Sequence, residues 1–440
     1  MEKRNQAAKL IIGAVIAIIA ILFIGGIVFA KPMMYHLKNR DKIGPLTRSD
    51  IEYETVDAPQ ASSNDGTINA NDWKSVGGMY QEIAVTMGQN ADNVYILDYL
   101  EQDPYLVNIY EGFGFAKEYG SARGHEYTLE DVNHTARPHA SANCLTCKTP
   151  NFAKLVNDQG VGVYTMPFDE AMALMEENVS CYSCHGNQAG NKGQLEITHS
   201  YVLKALDASA VESIGLSTLS CGQCHIEYYF TPTDKETMMP YSDVQSMHPD
   251  AILAYYDSMV LPDGTVGYAD WTQASTGARL LKAQHPEMET YLLGKHAKEG
   301  MNCADCHMPM EQSEDGTIYH SHLLVSPLDN KTLLSTCVQC HEDTDMVEFV
   351  HRLQARVTDR ETEVGNLLSD FNDTLTEAVE AGKLSEDELN AVRKLYREAQ
   401  WYFDFCYVEN AEGAHNSELA FYCLDTSAQL IADGMALLGK

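Results

Sequence analysis

Ten of the twelve cysteines in this 440-residue chain stand in five C-x-x-C pairs: Cys144 and Cys147, Cys181 and Cys184, Cys221 and Cys224, Cys303 and Cys306, Cys337 and Cys340. Four pairs are followed at once by histidine, at His185, His225, His307 and His341, and the first pair is followed by Lys148. With 12 cysteines and 16 histidines in the chain, chance supplies roughly 0.01 C-x-x-C-H matches, so four of them are a repeated device. Zinc takes two such pairs at a fixed separation, and a redox dithiol does not recur. Histidine directly after the second cysteine is the attachment signature of c-type haem: two thiols bond the porphyrin and the next residue reaches the iron.

Lysine is an odd end to such a motif. A free lysine amine is protonated at neutral pH and only its neutral form has a lone pair, so ligation must be driven by the iron and by exclusion of water. One reading gives a haem with an amine on one face and an open position on the other. The alternative is a degenerate motif with Lys148 on the surface and the iron held by a distant histidine. An iron with two histidines is coordinatively full and suits electron transfer, whereas an open position admits a substrate.

The composition narrows the partners. Lys and Arg total 30 against 63 Asp and Glu, a formal net charge of -33. That surface repels nucleic acid, so no nucleic-acid partner is expected, and an anionic substrate would need a local cluster of positive groups. With 45% hydrophobic residues, the chain is long enough to bury a sizeable core. From Leu10 to Ala30 no charge interrupts a largely apolar run of bilayer-spanning length. Residues 1–41 therefore read as a membrane anchor or uncleaved signal, with cleavage after Ala30 as the alternative. Residues 42–72 read as a linker and 73–440 as the main domain. Because covalent haem attachment takes place outside the cytoplasm, the domain is expected on the outer side of the membrane.

The lysine motif followed by four C-x-x-C-H motifs resembles the ammonia-forming pentahaem cytochrome c nitrite reductases. Further stretches carry the resemblance across most of residues 120–420: RGHEY (123–127), CHIEYYF (224–230), DWTQASTGARLLKAQHPE (270–287) and GAHNSELA (413–420). The resemblance implies five haem c groups and six-electron reduction of nitrite to ammonium at the haem ligated by Lys148. It implies Arg137, Tyr228 and His285 as the catalytic residues of the distal pocket, types that offer fixed cationic donors, a hydroxyl and a mobile proton. The loop from Arg137 to Cys144 is shorter than in better-known members.

It also implies one calcium ion, held by the Glu227 carboxylate, the Tyr228 and Lys282 carbonyls and the Gln284 side-chain oxygen, all hard donors. The distal ligands implied are His125 for the haem of Cys221 and Cys224, and His296 for that of Cys337 and Cys340. His322 would serve the haem of Cys181 and Cys184, with His320 as its nearby competitor, and His415 that of Cys303 and Cys306. His36, His134, His139, His199, His248 and His351 receive no role. The implied electron donor is a membrane tetrahaem quinol dehydrogenase of the NapC/NirT type. Two rivals share the motifs: a pure electron-transfer multihaem cytochrome, and an oxidoreductase acting mainly on hydroxylamine or sulfite.

The fold is expected to be mainly α, a multihaem cytochrome c with haems packed in the core and long C-terminal helices from about 346. Met346, Val350, Leu353, Val357, Val364, Leu368, Phe371 and Leu375 recur at steps of four, three and seven, the pattern of a long amphipathic helix. Ser385 and Glu388 form a capping box before another helical run, and a third helix follows His415. The family dimerises through such helices, so a homodimer is expected. Cys406 and Cys423 belong to no motif and either pair in a disulfide or stay as buried thiols.

Overall fold

A computed structural model describes residues 97–440 apart from 123, 139–140, 187–194, 313–317, 323, 325, 330, 339 and 342–343. The expected anchor and linker lie outside these residues, as do His36 and His139. Among the described residues no helix is long and apolar enough to cross a membrane.

Three long helices close the chain. Met346–Ala381 starts at the Asp345 cap, whose carboxylate accepts the Glu348 N–H (3.0 Å), and stops at Gly382 in the left-handed region (φ 60°). Glu386–Tyr407 begins with the expected capping box: Glu388 accepts the Ser385 N–H (2.7 Å) and donates its own N–H to Ser385 Oγ (3.3 Å). Ser417–Leu437 follows, capped by Asn416. The three pack on one another, and Met346–Ala381 also packs on the short Tyr105–Ile109 helix. Val357, Val364, Leu368, Phe371 and Leu375 are fully buried in this seam, whereas Met346, Val350 and Leu353 of the same stripe are half-buried. Two glycines permit the close approach: a Cβ on Gly365 would run into the Tyr105 ring, and one on Gly434 into Phe371.

The rest is made of short helices and three two-stranded antiparallel ribbons. Their registers pair Tyr229 with Met238, Trp271 with Leu280, and Glu311 with Tyr319. The C-x-x-C pairs sit on or at the ends of helices, and local sequence opens two of them: ahead of Cys181–His185, Ser183 Oγ accepts the Ser180 N–H (3.2 Å). Asn302, just before Cys303, accepts the Ala304 N–H (2.9 Å), while Asp305, between the cysteines, accepts the Asn302 N–H (2.7 Å). Such turns leave both thiols and the next side chain at one end of a short rigid element.

Cys406 and Cys423 are buried free thiols, not a disulfide. Cys406 donates to Glu361 Oε1 (3.3 Å), and both cysteines line a small cavity with Thr290, Phe405, Glu409 and Leu419.

Candidate active site and haem-binding motifs

The four motif histidines each face a second imidazole. Ring centroids lie 6.1 Å apart for His225 and His125, 6.4 Å for His185 and His322, 6.3 Å for His307 and His415, and 6.2 Å for His341 and His296. Two imidazoles on opposite sides of one metal, each with a metal–nitrogen bond of about 2.0 Å and about 1.1 Å more to its ring centre, would stand about 6.2 Å apart. The spacing therefore fits one iron per pair. His320 and His322 each bond a backbone carbonyl through Nδ1, of Met308 and His320 respectively (2.8 Å both), and the ring that faces His185 is that of His322. His415 is set the same way by Glu409, whose Oε1 lies 2.6 Å from Nδ1.

Burial favours the neutral, ligating form of His125, His225 and His322. It is the main cause holding His225 down to about 3, with the charges of His125 and Lys148 adding to it. Burial and then His185 take His322 down to about 4. His415 differs: burial opposes its charge, but Glu409 outweighs burial and raises it.

The lysine motif lies against the segment that carries His125. Thr128, which opens the helix after His125, donates its hydroxyl to the Lys148 carbonyl (2.6 Å). Burial and, next, the Lys148 charge lower His125, and the same two causes in the same order hold His285 well below the ordinary histidine range.

Tyr228 and His285 come from different segments that are zipped together. The His285 N–H donates to the Ile226 carbonyl (3.2 Å), Gln284 N–H to Glu227 Oε2 (2.7 Å), Met288 N–H to the His225 carbonyl (3.1 Å), and Glu227 N–H to Glu289 Oε1 (2.7 Å). Each segment leaves a ribbon: Tyr228 enters the Tyr229–Phe230 strand, and Lys282 follows the Arg279–Leu280 strand. Arg137 arrives from a third direction. Its guanidinium lies 4.4 Å above the Phe115 ring, and its Nε donates to Thr135 Oγ1 (3.0 Å). Its charge reaches both Tyr228 and His285.

Glu227, one of the residues expected around calcium, stands in an acidic pocket with Glu289 and Asp270, which the sequence did not point to. Glu227, Glu289 and Asp270 are buried or nearly so, and burial is the first cause raising each: Glu227 well above its ordinary range, Glu289 to about 8, Asp270 to about 6. Glu289 Oε2 is buried without a partner. The one nearby amine, Lys282 Nζ, is turned away to Asp404 (3.0 Å). The Gln284 side-chain amide lies 2.9 Å from the Lys282 carbonyl. Which end of an amide is oxygen is assigned from its neighbours, and 2.9 Å also suits two oxygens sharing one cation at about 2.4 Å. Unpaired buried carboxylate and a convergent oxygen pair fit a hard divalent cation.

Sequence reading missed the groups that hold this site. Asp404 accepts the Ala283 N–H (2.8 Å), both Lys282 Nζ contacts (3.0 and 3.1 Å) and the Tyr110 hydroxyl. Its signal was a lone charge in the apolar run WYFDFCY. Tyr256, which donates to Glu227 Oε1 (2.8 Å), gives no such signal.

The cytochrome c552 family matches residues 70–440, most of the chain. The chain belongs to this family. The fold is similar to that of the catalytic subunit (NrfA) of cytochrome c nitrite reductase from Desulfovibrio desulfuricans ATCC 27774, described as having two calcium sites. The TM-score is 0.73 at 24% identity, over 86% of this chain and 87% of that one. Weaker likenesses are to the outer cell wall cytochrome OcwA, with a TM-score of 0.39 at 17% identity over 70% of this chain and 48% of the other. The undecahaem S-layer cytochrome of Carboxydothermus ferrireducens gives 0.37 at 15%, over 72% and 41%. A mainly helical multihaem cytochrome c of the cytochrome c552 family, with a nitrite-reductase fold, is thus established for this chain.

Proposed function

We propose that the chain is an ammonia-forming nitrite reductase: nitrite, six electrons and eight protons give ammonium and two waters. The observation that carries the reading is that four motif histidines each face a partner imidazole at 6.1–6.4 Å, while the fifth motif ends in Lys148, whose charge reaches His285. Haem c, five groups in all, would be held by the four histidine pairs and by Lys148; it would supply electron relay at the pairs and, at the Lys148 motif, an iron centre able to bind nitrite.

The chain's own residues do the rest. The Arg137 guanidinium, held flat on Phe115, presents donors to the nitrite oxygens and offsets the repulsion of the acidic surface. Tyr228 and His285 donate O–H and N–H to the same oxygens and pass protons as the two N–O bonds break. Glu227, Gln284 and the carbonyls of Tyr228 and Lys282 hold calcium, which fixes both segments from behind. Electrons arrive from a membrane tetrahaem quinol dehydrogenase of the NapC/NirT type, outside the cytoplasm and next to the N-terminal anchor. A homodimer forms through the long helices, where Phe349 and Leu367 are exposed.

Expression with haem maturation factors, followed by assay with reduced viologen, tests the activity. One ammonium per nitrite consumed is expected, and a yield well below that would sink the proposal. If cyanide and nitrite leave the spectrum unchanged, the chain is an electron-transfer cytochrome instead. Faster turnover of hydroxylamine or sulfite than of nitrite would make nitrite a side substrate.

A further inference from the structure

In three of the five motifs, the residue just before the second cysteine meets the others at one buried point. These residues are Thr146 of CLTCK, Ser183 of CYSCH and Gln223 of CGQCH. Gln223 is 1% exposed, and its Nε2 donates to the Ser183 carbonyl (2.5 Å). Its Oε1 accepts the backbone N–H groups of Thr198 (3.0 Å) and His199 (3.2 Å). His199, 5% exposed, completes the path with Nε2 at 2.8 Å from the Thr146 carbonyl. A carbonyl only accepts, so Nε2 carries the proton and Nδ1 takes the Thr198 hydroxyl (3.1 Å). Tyr201 adds a hydroxyl bond to the Gln223 carbonyl. Every polar end of this chain of bonds has its partner, so the loops are tied in a low-dielectric interior where an unmade bond is costly.

The node also stands between attachment thiols. One atom each of Cys147, His199 and Cys224 lie within 4.8 Å of one another. As a free set they would suit a soft metal, but both cysteines belong to haem attachment motifs, which leaves His199 to hold the loops.

We propose that Thr198, His199 and Gln223 are positioning residues that lock the lysine motif against the motifs of Cys181 and Cys221, and so govern electron delivery to the haem at Cys144 and Cys147. The proposal rests on the haem reading of these three motifs. His199 makes its short ring bond to the lysine loop, through Thr146, with a longer contact to Cys224 Sγ (3.8 Å), whereas Gln223 ties the loops of Cys181 and Cys221. Their removal should therefore have different reach.

The test uses the full holoprotein, with haem count read from intact mass. Stopped-flow reduction and electron paramagnetic resonance then resolve the lysine haem from the others. In His199→Leu the lysine haem is expected to reduce about tenfold more slowly, as for loss of a supporting hydrogen bond, with the histidine-pair signals unchanged. His199→Gln, whose amide N–H reaches the same carbonyl, restores most of the rate. Gln223→Leu also alters the signal of the haem at Cys181 and Cys184. If His199→Leu does not assemble, Thr198→Val carries the test, with intermediate slowing expected. Wild-type reduction kinetics in fully loaded variants would overturn the proposal, as would a wild-type mass showing a haem replaced by a divalent metal. Wild-type protein without nitrite turnover would sink the proposed activity but leave these haem-resolved readouts standing.

Discussion

In the proposed reading, Lys148 is the residue on which the division of labour turns. Changing it to histidine restores the repeated motif, so Lys148→His is expected to keep all five haems while nitrite turnover falls about tenfold or more. Pyridine haemochrome counts and steady-state rates check this, and unchanged turnover would mean the amine has no part in the chemistry. At this scale much was legible. A cysteine pair with its following residue is a contiguous signal, and the distal histidines sit in short distinctive stretches such as RGHEY and GAHNSELA. The four pairings expected from those stretches are the pairs found with rings 6.1–6.4 Å apart. His199 was not legible, because its ring bonds the backbone carbonyl of Thr146, 53 positions away in sequence, and a backbone carbonyl leaves no mark on residue type.

At the scale of elements, the Glu386–Tyr407 helix does more than pack. Through Asp404 and Gln400 it grips residues 281–283, just before Gln284 and His285. Lys282 Nζ and Asp404 are about 1% and 0% exposed as side chains, and burial pulls the lysine down and the carboxyl up while each resists the other's loss of charge. Asp404→Asn keeps the shape but strands the ammonium, which is expected to cost about 3–5 kcal/mol. The thermal midpoint should fall, and adding Lys282→Met should recover much of it. A double variant no more stable than Asp404→Asn would show that the ion pair is not the source of the loss. The long helices themselves were readable from apolar spacing and the Ser385–Glu388 box. The ribbons were not, because strands of two or three residues are too short for an alternating pattern to register.

For the whole molecule, charge and protonation set the working conditions. A net charge of -33 works against nitrite entry over a screening length of about 30 Å at 0.01 M salt and about 8 Å at 0.15 M. Added non-coordinating salt should therefore raise kcat/KM for nitrite and leave that for neutral hydroxylamine unchanged. A fall for nitrite would mean that local positive groups dominate at long range. Glu361 links stability to pH: burial first, then Glu412 and Glu409, raise it to about 8, against the favourable contact from Cys406. The folded chain then holds a proton that the unfolded chain has released, so this group's stabilisation is full at acid pH and is lost as pH rises to about 8. Glu361→Gln imitates the protonated form. Its advantage over wild type should grow across that range, to at most about 5 kcal/mol, and a pH-independent difference would contradict the assignment.

The two buried thiols have a consequence for how the molecule is made. Cys406 and Cys423 follow all ten attachment cysteines in the chain, so during synthesis they emerge last, after Cys340. Neither thiol is therefore on the chain while the motif cysteines are being made, and the closing helices bury both, which shuts them away from oxidants.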